Sequence, residues 1–368
     1  MHFLRFFKKN TVLTISLLAA LITAFIVKPD PAYLGYYDVK TLTCLFCVLA
    51  VICAFRNIGF FYIVAQKMVQ HLKNTRLAIL VLVYITLIGS MLITNDTALL
   101  TFLPLSYFVL HSTKNDKYLA FTFIMQNCAA NLGGMLTPIG NPQNLYLYTK
   151  FNIPNDTFLA VMLPPFVISI LLITVCCLFV KSEPLSVPDQ VNHTDTKRAI
   201  LYGVLFALAV AIVLRALPYW IGLIIIPAVL FFSDREALKK VDYSLLLTFV
   251  AFFTFAGNMA RMESIQHIFS ALLQKNTLLF SALSCQVISN VPAAILLSQF
   301  TTDYAPLLQG VNIGGAGTLI ASLASLITFQ EFARHEPEKR GKFVLLFSII
   351  NFAFLFILLA AQMLLNTL

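Results

Sequence analysis

The chain has 368 residues, of which 59% are hydrophobic and 11% charged, with a formal net charge of +9. So little charge excludes a soluble domain of ordinary composition, which needs more to cover its surface. Nucleic acid is excluded as the target of the positive charge, because no basic patch with interleaved aromatics stands outside the apolar runs. The partner implied is the lipid bilayer.

Residues Met1 to Asn10 carry Arg5, Lys8 and Lys9 ahead of an apolar run, Thr11–Lys28. The run is longer than a signal-peptide core and lacks a small-residue cleavage site, so a retained helix is expected. Further apolar spans follow at Val39–Phe55, Arg76–Ile93, Thr97–His111, Tyr118–Ala130, Thr157–Val180, Ala199–Ala216, Tyr219–Phe232, Tyr243–Ala260, Thr277–Ile288, Ala293–Phe300, Gly317–Phe332 and Lys342–Asn366. Several are too short to cross about 30 Å of hydrocarbon as straight helices. The short ones lie where polar or glycine-rich sequence intervenes: around 94–97, 131–144, 289–292 and 310–322. Unwound backbone at membrane depth is tolerated only where it is buried in protein or lines a watery cavity, and paired interruptions in matching positions of two halves mark a transporter binding site.

The halves align by eye. Residues 1–180 contain two spans, an amphipathic stretch Asn57–Arg76, a hairpin with its tip at 94–97, a broken helix at 131–144 and a closing span. Residues 218–368 repeat the order, with the amphipathic stretch Arg261–Lys275, a tip at 289–292 and a broken helix at 310–322. A linker, 181–198, and one extra helix, 199–217, join them. An odd helix between copies inverts the second. The expected fold class is therefore an all-α polytopic membrane protein: an inverted-repeat secondary transporter with about nine crossings, two re-entrant hairpins and two broken helices. With the N-terminus cytoplasmic, 19 of the 25 Lys and Arg fall in cytoplasmic segments, the linker among them. That asymmetry fits the topology and points to the plasma membrane, although it does not distinguish re-entrant hairpins from full crossings.

Chemistry concentrates at the interruptions. The first tip reads Thr94-Asn95-Asp96-Thr97 and the second Ser289-Asn290-Val291-Pro292, each a hydroxyl and then an amide. The first broken helix places Asn131, Gly133, Gly134 and Thr137 at a shift of 181 from Asn312, Gly314, Gly315 and Thr318. Paired glycines let backbone approach a ligand. Helix N-termini suit an anion; free carbonyls and side-chain oxygens suit a small cation. Asp96, a carboxylate at membrane depth, is either a coupling-ion or proton site or a helix cap accepting from an amide near Leu99. Arg56 and Arg261 are either anion attractors or interfacial residues. No P-loop, H-E-x-x-H or Ser/His/Asp arrangement is visible, so neither ATP drive nor an enzyme is expected. The seven scattered cysteines, including Cys44-x-x-Cys47, read as packing residues rather than a metal site.

The tips resemble the Ser-Asn-Thr signatures of the divalent-anion:sodium symporters, and Asn131 to Asn144 resembles the N-x-G-G-x-x-T-x-x-G-x-P-x-N segment of the ion-transporter superfamily. That group includes citrate-transporter-like permeases, arsenite permeases and sodium/proton antiporters. Thr-Asn-Asp lies nearer the arsenite-permease side. The resemblance implies substrate contacts from Asn95, Asn290, Thr137 and Thr318, with Gly133, Gly134, Gly314 and Gly315 exposing backbone to the ligand. It implies one coupling-ion site shaped by Thr94, Asn95, Gly140 and Asn141, another shaped by Ser289, Asn290 and the stretch from Thr318 to Ser322, and a possible homodimer; Asp96 and Thr97 of the first tip are further coupling-ion candidates. Asp96 and Val291 stand where the dicarboxylate symporters have threonine. No cofactor is expected beyond the coupling ion, H+ or Na+. The readings left open are an anion permease coupled to either ion, a sodium/proton antiporter, and an uncoupled anion channel.

Overall fold

A computed structural model describes residues 11–70, 72–187 and 195–367. The basic segment Met1–Asn10 and the middle of the 181–198 linker lie outside the described residues. The rest is helical. In chain order the main elements are α1 Thr11–Ile26, α2 Val39–Asn57, α3 Phe60–Gln70, α4 Thr75–Ile93, α5 Asn95–Ser112, α6 Leu119–Gly133, α7 Pro142–Lys150, α8 Asn155–Leu178 and α9 Thr196–Val213. They continue with α10 Tyr219–Ser233, α11 Tyr243–Ala260, α12 Glu263–Ile288, α13 Asn290–Leu297, α14 Tyr304–Ile313, α15 Leu323–His335 and α16 Arg340–Leu365.

Six helical stretches are long and apolar enough to cross a bilayer: Val39–Asn57, Thr75–Ile93, Asn155–Leu178, Thr196–Val213, Arg235–Ala260 and Pro337–Leu365. Two shorter apolar helices, Thr11–Ile26 and Tyr219–Ser233, accompany them. Leucines, isoleucines and phenylalanines such as Phe25, Phe179, Phe232 and Phe356 stand exposed around this body, as a surface facing hydrocarbon requires. The first span, α1, packs along α11 more extensively than any other pair of elements pack.

Three expectations from the sequence change. First, the span expected at Gly317–Phe332 begins only at Leu323, where Ser322 caps α15 by accepting from the Ser325 amide at 3.1 Å. Residues 314–322 are turns, and Gly317 sits at φ +119, a conformation that a side chain resists. Second, two short helices that no apolar run announced, α7 and α14, complete the broken segments. Third, the hairpins are unequal. The arms α4 and α5 have 19 and 18 residues, about 28 and 27 Å long at the helical rise, and of the two only α4 is among the six apolar stretches. The second arm of the other hairpin, α13, has 8 residues, about 12 Å.

Each amphipathic helix meets its hairpin at one extended asparagine. Asn74 (φ −139, ψ 129) precedes α4, and its Oδ1 accepts from the Leu77 amide at 3.2 Å. Asn276 (φ −165, ψ 93) interrupts α12, and its Oδ1 accepts from the Leu279 amide at 2.9 Å. The broken segments pack crosswise: α7 lies against α13, the second hairpin's arm, and α15 against α5, the first hairpin's arm. All seven cysteines are free, six of them buried and Cys176 half-buried, as packing residues would be.

Candidate functional site

At each tip one residue adopts a left-handed φ that β-branched or bulky residues seldom hold: Thr94 at φ 69, ψ 149 and Ser289 at φ 73, ψ 158. Such conformations persist only where their surroundings enforce them, and they cluster at functional sites. The enforcement is alike at both tips. The Asn95 amide donates to the Gly140 carbonyl at 3.0 Å, and the Asn290 amide to the Ala321 carbonyl at 2.9 Å. The Oδ1 of each asparagine accepts from the next backbone amide, Asp96 or Val291, at 2.9 Å. Both side chains therefore turn their NH2 groups inward.

The inward amides meet a buried network. Asn95 Nδ2 donates to Asn131 Oδ1 at 3.2 Å, and Asn131 Nδ2 to Asn127 Oδ1 at 3.4 Å. Asn127 Nδ2 donates to Asn351 Oδ1 at 3.2 Å. From the other half, Asn312 Oδ1 accepts from Asn141 Nδ2 at 3.0 Å and Gln143 Nε2 at 3.2 Å, while Asn312 Nδ2 donates to Asn144 Oδ1 at 2.6 Å. Gly315 lies where the second tip meets the first broken segment. A Cβ there would stand 3.4 Å from Asn290 Nδ2 and 3.8 Å from Asn131 Oδ1. It would also stand 3.2 Å from the Asn312 carbonyl oxygen, so the missing methyl lets amides and backbone from both halves approach closely.

The other glycines serve closer packing. A Cβ on Gly133 would meet the Leu87 carbonyl oxygen of α4 at 2.8 Å, and one on Gly314 the Ala282 Cα of α12 at 2.8 Å. Gly134 and Gly140 lie against each other and against Asn141. The two threonines anchor the broken segments to the hairpins: Thr137 Oγ1 donates to the Met91 carbonyl at 2.7 Å and Thr318 Oγ1 to the Gln286 carbonyl at 3.2 Å. Thr94 Oγ1 donates to Thr97 Oγ1 at 3.2 Å, and Ser289 Oγ to the Ala321 carbonyl at 3.3 Å. Ser322 is engaged as the α15 cap.

Asp96 does not cap α5. Its amide is held by Asn95, and its Oδ1 is buried without a hydrogen-bond partner. Asn141 Oδ1 and Gln143 Oε1 are likewise buried acceptors without donors. All three belong to the first tip or the first broken segment. Unsatisfied buried acceptors are costly in a native structure, and oxygen-only acceptors of this kind suit a proton or a hard cation. Among the described residues no group of three His, Cys, Asp or Glu side chains could hold a metal ion. Arg261 faces no part of this cluster. It pairs with Asp30 at 2.7 Å in the exposed segment between α1 and α2, and that guanidinium holds the Asp30 carboxyl below the usual carboxylate range.

Sequence reasoning quoted Asn131, Asn144 and Asn312 without assigning them a role, and passed over Asn127, Gln286 and Asn351. Gln286 and Asn351 are isolated amides in apolar spans and Asn127 follows Gln126 within another, which was the available signal. A family model described as citrate transporter matches residues 6–312 of the chain. An uncharacterized transporter of Methanocaldococcus jannaschii is 34% identical over 324 residues, covering 87% of this chain and 88% of the relative. An inner membrane protein of Escherichia coli is 29% identical over 336 residues, covering 89% and 87%. A silicon efflux transporter of Oryza sativa is 30% identical over 145 residues, covering 39% of this chain and 29% of its own.

Proposed function

This chain belongs to the citrate transporter family, and from that premise we propose that it is a secondary permease for a small anion, coupled to protons or sodium. The observation that carries the reading is the pair of like-built tips whose amides converge through Asn131: Asn95 Nδ2 donates to Asn131 Oδ1, and Asn290 Nδ2 and Asn131 Oδ1 both lie beside Gly315. Neutral NH2 donors and exposed backbone bind an anion without a permanent opposing charge, so it can also leave. The half-chains 1–180 and 218–368 act as inverted repeats, and alternating exposure of the site follows from moving one set of elements against the other. The coupling ion sits by the first tip, where Asp96, Asn141 and Gln143 present acceptors without donors. A cation there offsets the cost of holding an anion nearby. The E. coli relative's name, inner membrane protein, supports a plasma-membrane location. The rice relative's name, silicon efflux transporter, widens the substrate class to oxyacids and leaves the direction of transport open.

The free Asp96 carboxylate favours one other reading, a sodium/proton antiporter in which that group exchanges the two cations. Uptake in proteoliposomes separates them. A panel of labelled anions is offered under a sodium gradient, a proton gradient or neither, with Asn95→Ala and Asp96→Asn alongside. Uphill uptake of one anion under one gradient, lost in both variants, is the expected result. Sodium-for-proton exchange with no anion moving would replace the permease reading by the antiporter.

A further inference from the structure

Away from the central amides, a cavity of about 690 Å³ opens between the amphipathic part of α12 and the C-terminal ends of α7 and α13. Its walls are mostly neutral hydrogen-bonding groups, among them Ser270, Gln274, Gln299 and Thr301. Lys150 is the one basic residue in the lining, and Asp303 the one acidic residue. The Lys150 ammonium forms no ion pair among the described residues. Its recorded bond is a long one, 3.4 Å to Gln299 Oε1. Gln299 Nε2 in turn donates to Tyr146 Oη at 3.4 Å, and Tyr146 Oη lies 2.8 Å from Ser298 Oγ. This chain of neutral groups holds the lysine at the wall without neutralising it. The ten-residue helix α14 begins at the cavity rim, and its N-cap residue, Asp303, makes no side-chain capping bond, so the first-turn amides remain available. The opposing features are the Asp303 carboxylate and the carbonyl end of α13.

A second cavity, of about 210 Å³, occupies the matching place in the first half, between α3 and the hairpin arm α5. It is lined by Gly59, Tyr62, Leu100, Thr101 and Pro104, and its one charged lining residue is Arg56, for which no ion pair is recorded among the described residues. Both cavities thus lie between an amphipathic helix and the second arm of a hairpin, and each holds one unneutralised cation.

We propose that the cavity beside Lys150 is a staging site for a small anion, where the solute is captured before it reaches the central amides, and that the Arg56 cavity is its smaller counterpart at the other mouth. The proposal rests on the permease reading for its solute. Its physical basis is independent: an ammonium without an ion pair, in a wall otherwise neutral except for Asp303 at the rim, raises the local concentration of anions over cations near Lys150. A single charge also captures without holding, since neutral donors around it bind weakly enough to release.

The test uses the charge of a thiol reagent as the probe. Gln274→Cys places a thiol in the cavity wall, and the protein without that added cysteine gives the background. The purified protein in detergent is labelled with a sulfonate-bearing methanethiosulfonate and, separately, with its trimethylammonium counterpart. Each rate is divided by that reagent's rate with a small free thiol. The ratio of anionic to cationic labelling is expected to exceed one, and to fall about three- to tenfold in Lys150→Gln but not in Lys150→Arg. It should rise in Asp303→Asn. Raising the salt from low to about 0.5 M should erase most of the preference in the protein that retains Lys150, which gives a readout requiring no charge variant. A ratio near one, or one that Lys150→Gln and salt leave unchanged, overturns the staging site. Because this readout involves no transport, it fails separately from the permease reading: uptake can be absent with the preference intact, or present without it.

Discussion

The two broken segments solve one problem in different ways. Each exposes carbonyls where its helix stops, and each receives an amide side chain to satisfy them. In the first segment the amide is local: Asn144 Nδ2 donates to the Gly134, Met135 and Thr137 carbonyls at 3.1–3.2 Å. In the second it comes from the hairpin. Gln286 Nε2 donates to the Gly314 and Ala316 carbonyls at 2.8 and 3.0 Å, and its Oε1 accepts from the Thr318 amide at 2.9 Å. The first segment therefore braces itself, while the second is tied to its hairpin arm. The difference shows in what is left over. The tied side has no unsatisfied buried side-chain acceptor at its tip or break, whereas the self-braced side leaves Asp96, Asn141 and Gln143 with open oxygens. The first tip is thus left with acceptors that lack donors, while the second is satisfied by its own hydrogen bonds.

The sharpest way to break this contrast is Asp96→Asn. Uptake is expected to fall at least a hundredfold, while thermal stability in detergent holds or rises, because the replaced oxygen has no partner to lose and the amide carries no charge to bury. A large loss of stability instead would mean that Asp96 is a structural acceptor. Next in size is Gln286→Leu, which leaves two carbonyls and one amide unpaired at about 1–3 kcal/mol each. A stability loss of about 3–5 kcal/mol is expected, and hydrogen exchange should quicken in both the second hairpin and residues 314–322. Asn144→Leu should quicken exchange chiefly in the first broken segment, with a smaller effect on α14 through the lost Asn312 bond. If both variants loosen the same regions, the two solutions are not distinct.

Gly315→Ala probes the place where the second tip meets the first broken segment. Its new methyl would sit 3.2 Å from the Asn312 carbonyl oxygen and within van der Waals reach of the Asn290 and Asn131 amides, so uptake should fall about tenfold while stability falls by no more than about 1 kcal/mol. Gly314→Ala, one residue away, should instead cost about 1–3 kcal/mol through overpacking against α12. The smallest effect belongs to the Asp30–Arg261 pair. The Asp30 carboxyl is held below its ordinary value by Arg261, so its contribution is present above the unfolded value near 4 and is lost as pH falls through the lower folded one. The slight difference in melting temperature between the native protein and Asp30→Asn should shrink and then vanish as the pH is lowered through that folded value.

Much of this architecture was legible in the sequence. Spans facing lipid must be apolar along their length, so α2, α4, α8 and α11 declared themselves to within a few residues. The tips declared themselves by interruption. Helices buried wholly inside protein need no apolar stripe, and α7, with Pro142, Gln143 and Asn144 in its first turn, reads as loop. The site was half legible. Paired asparagines and threonines announced where it lies, but not that Thr137 and Thr318 spend their hydroxyls on hairpin carbonyls. Gln286 stayed hidden because its partners are main-chain atoms about thirty residues away, and no side-chain pattern encodes those.

The extended asparagines at the hairpin bases bear on length. From Asn74 to the tip at Thr94 the arm is 277–288's counterpart with seven residues more: 19 in α4 against 12 in 277–288. Seven residues are almost two whole helical turns, and the azimuth of the tip shifts by only about 20°. Both arms can thus offer the same side to their broken helix although one is about 10 Å longer. Because each asparagine restarts the helix, the phase of an arm is counted from its own base and owes nothing to the amphipathic segment before it. Lengthening an arm by a heptad keeps the tip aimed at its partner. Lengthening it by one residue swings the tip by about 100°.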